Sequence, residues 1–228
     1  MAGETEADGA DPARWRKVKA TRVADLGMPP DTATDILGEA ADSLAEAPPE
    51  SVIEDLARAD RPVEAVRLLA FALPKREAVW WACLAARHAM GLVAGLAAPA
   101  DVPAGSSDCL EAAEAWVYKP VEERRIACYR AAQGVRADSP AALAALAAAW
   151  SGGTLVPPEV TAEVQAVPPE ESLTASVVGH AVVLSAVMRD PVTAPERYRR
   201  YLAQGRDIAR GGTGALEDGA TGPPAPGR

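Results

Sequence analysis

The chain has little of what reacting centres are usually built from. Histidine, the commonest proton-transfer side chain, occurs twice in 228 residues, at His88 and His180. The cysteines are three, Cys83, Cys109 and Cys128, an odd number with no CxxC, so no disulfide framework and no CxxC-type zinc or redox motif is encoded. No Glu-x-x-His occurs, and helical di-iron sites need two. No Gly-x-Ser-x-Gly and no P-loop occurs either. Aromatics make up 4% of the residues and Phe71 is the single phenylalanine, so a core must be built largely from aliphatic side chains and alanine. The longest apolar stretch, near 172–188, contains Gly179 and His180; at about 17 residues it is short for a membrane span and reads as a core helix. The acidic start, MAGETEADGADP, has no apolar run behind it, so no signal peptide is read. These features predict a cytoplasmic protein in a reducing compartment, with no catalytic residue, cofactor or metal assigned.

What is present is alanine, leucine and an uneven charge. The net charge is −9. Glu4, Glu6, Asp8 and Asp11 make residues 1–12 acidic, and Arg14, Arg16, Lys17, Lys19 and Arg22 make the next ten basic. The long middle is acidic again. Six arginines between 189 and 210 return the last helical segment to positive. Two basic ends on an acidic body suit a solvated acidic protein better than a nucleic-acid binder, which normally carries a basic domain.

The window Leu73–Leu96 holds Trp80 and Trp81, with apolar residues around nearly the whole helical circumference. Val79, Cys83, Ala86, Met90 and Val93 form one stripe; Leu84, Ala85 and Leu92 fill the flanks. Such a helix is buried against several neighbours, so it is predicted at the centre of the fold. Proline divides the rest of the chain. A helix capped by Asp31-Thr32 is predicted through Ala45. Others are predicted over 50–59, 62–72, from Pro74, over 108–118, 120–133, 140–151, 172–188 and about 194–209. Helix 140–151 is expected to turn Leu143, Leu146, Ala147 and Trp150 inward, the i, i+3, i+4, i+7 pattern. Gly152-Gly153 is a helix stop. Residues 154–171, with four prolines, form an extended connector.

The predicted fold is therefore all-α: a compact bundle of about nine helices around the tryptophan helix. Residues 1–12 and 211–228 are expected to be disordered, 13–30 to be a basic, proline-bounded lead-in, and 31–210 to be a single domain. Glu111 and Glu114 share a helix face without partners for a metal. Lys75-Arg76-Glu77 suits the first turn of the central helix, where Glu77 meets the positive end of the dipole.

Five stretches resemble a bacterial family of unknown function: LPKREAVWWACLAAR (73–87), AWVYKPVEERRIACYRAA (115–132), AAWSGGTLVPPEV (148–160), VVGHAVVLSAV (177–187) and RYRRYLAQGRDIARGG (197–212). The resemblance covers about residues 30–212, and the tryptophan and Ser-Gly-Gly segments are its most specific parts. It implies a helical protein encoded near secretion-related genes, especially type VI secretion and forkhead-associated signalling modules, and it transfers no catalytic residue. The expected function is a non-enzymatic adaptor that presents a helical surface to a protein partner, with Pro157, Pro158, Arg197, Arg199 and Arg200 as contact residues. A homo-oligomer stays open. The rival is an enzyme or small-molecule binder with a pocket beside Trp80, Trp81 and His88. A third reading is nucleic-acid binding through the basic ends.

Overall fold

Proline sets most of the helix starts, because its fixed φ suits the first turn and its missing N–H costs nothing there. A computed structural model describes residues 14–92, 100–160, 164–188 and 190–216. Among these residues the chain forms nine α-helices and no strand: α1 Pro30–Leu37, α2 Pro49–Arg58, α3 Pro62–Ala72, α4 Lys75–Met90, α5 Ser106–Tyr118, α6 Glu122–Gln133, α7 Pro140–Ala149, α8 Leu173–Val187 and α9 Ala194–Arg210. Four of them begin on a proline and α9 carries Pro195 as its second residue. The all-α bundle predicted from the sequence is the fold observed.

The tryptophan helix α4 is central. It packs against α5, α7, α8 and α9, and from Ala78 to Met90 every residue except His88 is buried. Full burial of Trp81 removes roughly 200 Å² from water, about 5 kcal/mol before conformational entropy is counted. The second hub is α8, which touches α3, α4, α7 and α9. Its apolar length is absorbed by these neighbours. Among the described residues no single helix is long and apolar enough to cross a membrane.

Several expectations are corrected. The first helix stops at Leu37, not Ala45, because Gly38 takes φ 65° and ψ −144°, outside any helical region. Its cap is not Asp31-Thr32: the helix starts on Pro30 without a side-chain cap bond. The central helix ends at Met90, where Gly91 turns left-handed at φ 64°; Val93 lies outside the described residues. In α7 burial extends well beyond the expected face, on which Leu143 and Ala147 are buried as predicted. Ala141, Ala142, Ala144, Ala145, Ala148 and Ala149 are fully buried, whereas Leu146 and Trp150 are half-buried. This helix is surrounded by α4, α5, α6 and α8, and close approach on all sides selects small side chains.

The chain ends nearest the bundle are packed. Trp15 is 5% exposed, and the N–H groups of Arg16 and Lys17 both donate to Ala209 O, at 2.7 and 2.8 Å. Residues 211–216, read from sequence as the start of a loose tail, fold back on α4: Trp80 Nε1 donates to Thr213 O at 2.8 Å and Gly214 N–H donates to Asp207 Oδ2 at 2.8 Å. The expectations for residues 1–12 and for the tail beyond 216 lie outside the described residues.

Candidate functional site

Three places compete for function. The first is the tryptophan helix. Trp81 Nε1 donates to Tyr201 O at 2.8 Å, so both indole N–H groups are bound to backbone carbonyls. Gly205 of α9 lies so close that a Cβ there would come within 2.6 Å of Leu69 and 2.9 Å of Trp81. His88 stands at the rim of this packing, with Nδ1 3.0 Å from the Tyr201 hydroxyl and the two rings edge to face. Burial, and then the charges of Arg200 and Arg197, hold its imidazole below the usual histidine range. His180 is exposed on α8.

Polar groups inside the bundle are spent on structure. Glu114 accepts two bonds from Arg87, at 2.5 and 2.8 Å, between α5 and α4. The two-point geometry of a guanidinium fork on a carboxylate makes this a charge-assisted clamp. Cys83, Cys109 and Cys128 are all buried and free; burial pushes the Cys128 thiol up to about 12 and Cys109 up to about 11. Among the described residues no group of three or more His, Cys, Asp or Glu is placed to hold a metal ion.

The second place is the Ser-Gly-Gly junction after α7. Its terminal carbonyls are met by three donors from other elements: Arg125 Nη1 on Ala149 O, Thr174 Oγ1 on Trp150 O at 3.3 Å and Lys75 Nζ on Ser151 O at 2.9 Å. Cations suit the negative end of a helix dipole. Gly153, at φ 67°, leaves room for the Arg125 guanidinium, which a Cβ would meet at 2.8 Å. This motif is a joint between α4, α6, α7 and α8. From it the connector departs, with Pro157 exposed and Pro158 half-buried.

The third place is α9. Arg197 is turned inward: its Nη1 donates to Met188 O at 2.5 Å and so closes the C-terminal end of α8. Arg200 is half-buried, and its Nε is buried without a partner. Arg199 is exposed, with no ion pair among the described residues. It stands on the wall of a groove of about 610 Å³ between α9 and the turn from α2 into α3. Ala57, Pro62, Tyr198 and Leu202 supply apolar surface there. Arg206 bridges to Glu54 at 2.8 Å, and Arg58 is held by Asp55, so among the described residues the wall charges left without an ion pair are Arg199 and Asp60.

The predicted contact residues are thus not brought together. Pro157 and Pro158 leave from the N-terminal end of α8, and Arg197 sits at its other end, about 22 Å away along a 15-residue helix. Sequence reasoning missed Ala57 and Arg58 as groove residues. They lie on α2, more than a hundred positions from α9, and no local pattern links the two.

Fold and site together define an all-α scaffold with an open, partly apolar groove at the base of its last helix. The chain belongs to the Family of unknown function (DUF6931), which it matches over residues 52–209, from α2 to α9. No curated protein and no solved structure matches it.

Proposed function

We propose that the protein is a non-enzymatic adaptor, and that the groove between α2 and α9 takes an apolar segment of a protein partner. The observation that carries this reading is the exposed Arg199, without an ion pair among the described residues, beside the apolar surface of Leu202, Tyr198 and Ala57. An amphipathic helix laid in such a groove buries its apolar face and offers a carboxylate to the arginine. The filled packing around Trp81 supports an adaptor over a pocket enzyme. Three cations of the basic ends are held in ion pairs, Lys17 with Glu77, Arg22 with Asp25 and Glu46, and Arg206 with Glu54, and the chain as a whole carries a net charge of −9, which favours a protein partner over nucleic acid. The setting implied by the family resemblance is a bacterial secretion apparatus of the type VI kind, with the adaptor in the cytoplasm.

The test is affinity purification of the tagged chain from its own cell, at roughly 0.3 M salt to screen loose ionic contacts, with mass spectrometry of what elutes. A stoichiometric protein lost on Arg199→Glu, and lost again on Ala57→Arg, which fills the groove, is the expected result. Retention of the partner by both variants, or a chain that elutes alone, overturns the proposal.

A further inference from the structure

The connector carries the same four residues twice, Val156-Pro157-Pro158-Glu159 and Val167-Pro168-Pro169-Glu170. Proline fixes its own φ and keeps the residue before it out of the helical region. Val156, Pro157, Val167 and Pro168 each precede a proline, so local sterics alone hold all four extended. The two copies then diverge. The first closes into a turn, with Val160 N–H donating to Pro157 O at 3.1 Å. In the second, residues 165–170 run on without regular structure, and all but Pro169 are exposed.

The first copy's flank pins the second. Leu155 N–H donates to Val167 O at 2.7 Å, and Val167 N–H donates to Thr154 Oγ1 at 3.0 Å. The outer segment is therefore held in place without being covered: Val164 and Val167 are each 50% exposed. Val167 and Pro168, each followed by proline, are restricted to the extended range that polyproline II uses, whose three-residue repeat sets Val167 and Glu170 along one edge; Val164 leads into it at a bend. Glu170 is exposed and has no ionic partner among the described residues, whereas the next residue, Glu171, is bound to Lys75 at 3.1 Å.

We propose that residues 164–170 are a pinned proline-rich strap that docks into a partner groove lined by aromatic side chains and rimmed by lysine or arginine. Aromatic-lined grooves accept polyproline II segments because the backbone is already ordered and little entropy is lost on binding. The cationic rim answers Glu170. The inference rests on the adaptor reading only in requiring a protein partner; it uses a different surface from the α2–α9 groove.

The experiment places a photoreactive benzoylphenylalanine at Val164 of the full chain, irradiates the cell of origin and maps the cross-linked peptide. The expected cross-link falls in another protein, beside tyrosine, tryptophan or phenylalanine and close to a basic residue. With that protein purified, Pro168→Ala and Val167→Ser should each bind about tenfold more weakly, the loss expected when one buried apolar group or the preset backbone is removed. Their thermal melts should match wild type, since the Leu155 and Thr154 bonds use only backbone atoms of Val167. Cross-links to a second copy of the chain, to nucleic acid or to nothing overturn the proposal, as does binding of Pro168→Ala within about twofold of wild type. Loss of the complex on Arg199→Glu with no cross-link from Val164 would leave the groove reading standing and remove the strap alone.

Discussion

Truncating Glu114 isolates the energetics of the ion pair between α4 and α5. The Arg87 side chain is 8% exposed and that of Glu114 16%, with two parallel bonds between them. Glu114→Leu leaves a guanidinium buried with nothing to offset its lost hydration. Removing one partner of a buried pair costs about 3–5 kcal/mol. Residual water access at Glu114 places the cost at the lower end, about 3 kcal/mol. For a chain of this size each kcal/mol moves Tm by roughly 2–4 °C, so the variant should melt roughly 6–12 °C lower. Adding Arg87→Met removes the stranded charge while keeping its volume, and stability should return to within about 1 kcal/mol of wild type. Urea unfolding followed by far-ultraviolet circular dichroism measures both, provided the denaturant slope is unchanged between variants. A double variant as unstable as Glu114→Leu would show that lost packing, not the stranded charge, sets the cost.

Two glycines should respond with opposite signs. Gly205→Ala drives a Cβ to 2.6 Å from Leu69 and 2.9 Å from Trp81 and should cost about 1–3 kcal/mol by overpacking. Gly179→Ala on α8 meets Arg67 Cα at an ordinary 3.5 Å and should gain up to about 1 kcal/mol of helix propensity; thermal melts that move both variants the same way refute this assignment. His88 sets a pH dependence. Its imidazole is held below 6.5 in the folded chain by burial and by Arg200 and Arg197, so between that lowered value and 6.5 the unfolded chain binds more protons. Stability should therefore fall as pH drops through 6.5 and level off below the folded value. His88→Gln should lose part of this dependence when urea midpoints are compared at about pH 7.5 and about pH 5; an unchanged difference removes His88 as its source.

Much of the helix pattern was legible because it is local. Pro49, Pro62 and Pro140 act on their own φ and N–H, whereas the apolar spacing of the central helix ran on past Gly91, whose left-handed turn ends it. The run of apolar residues around Trp80 and Trp81 announced a helix enclosed by others. The first helix was read too long because Ile36, Leu37, Ala40 and Leu44 kept helical spacing across Gly38, and spacing does not register a single glycine that turns the chain. The candidate site was less legible. Arg197 was read as a contact residue, and the fold bonds it to the last carbonyls of α8.

Sequence alone determined the all-α class, the central position of α4 and most of the helix starts, since these follow from side-chain periodicity and backbone sterics within a few residues. Only tertiary structure decided that the alanines of α7 are core on every side, that Glu114 meets Arg87, that Gly205 makes room for Trp81, and that the connector and Arg197 lie at opposite ends of α8. Each of these depends on which distant surfaces come into close contact. That choice is made by packing density and by the need to pair every buried charge, and neither is a property of any single segment.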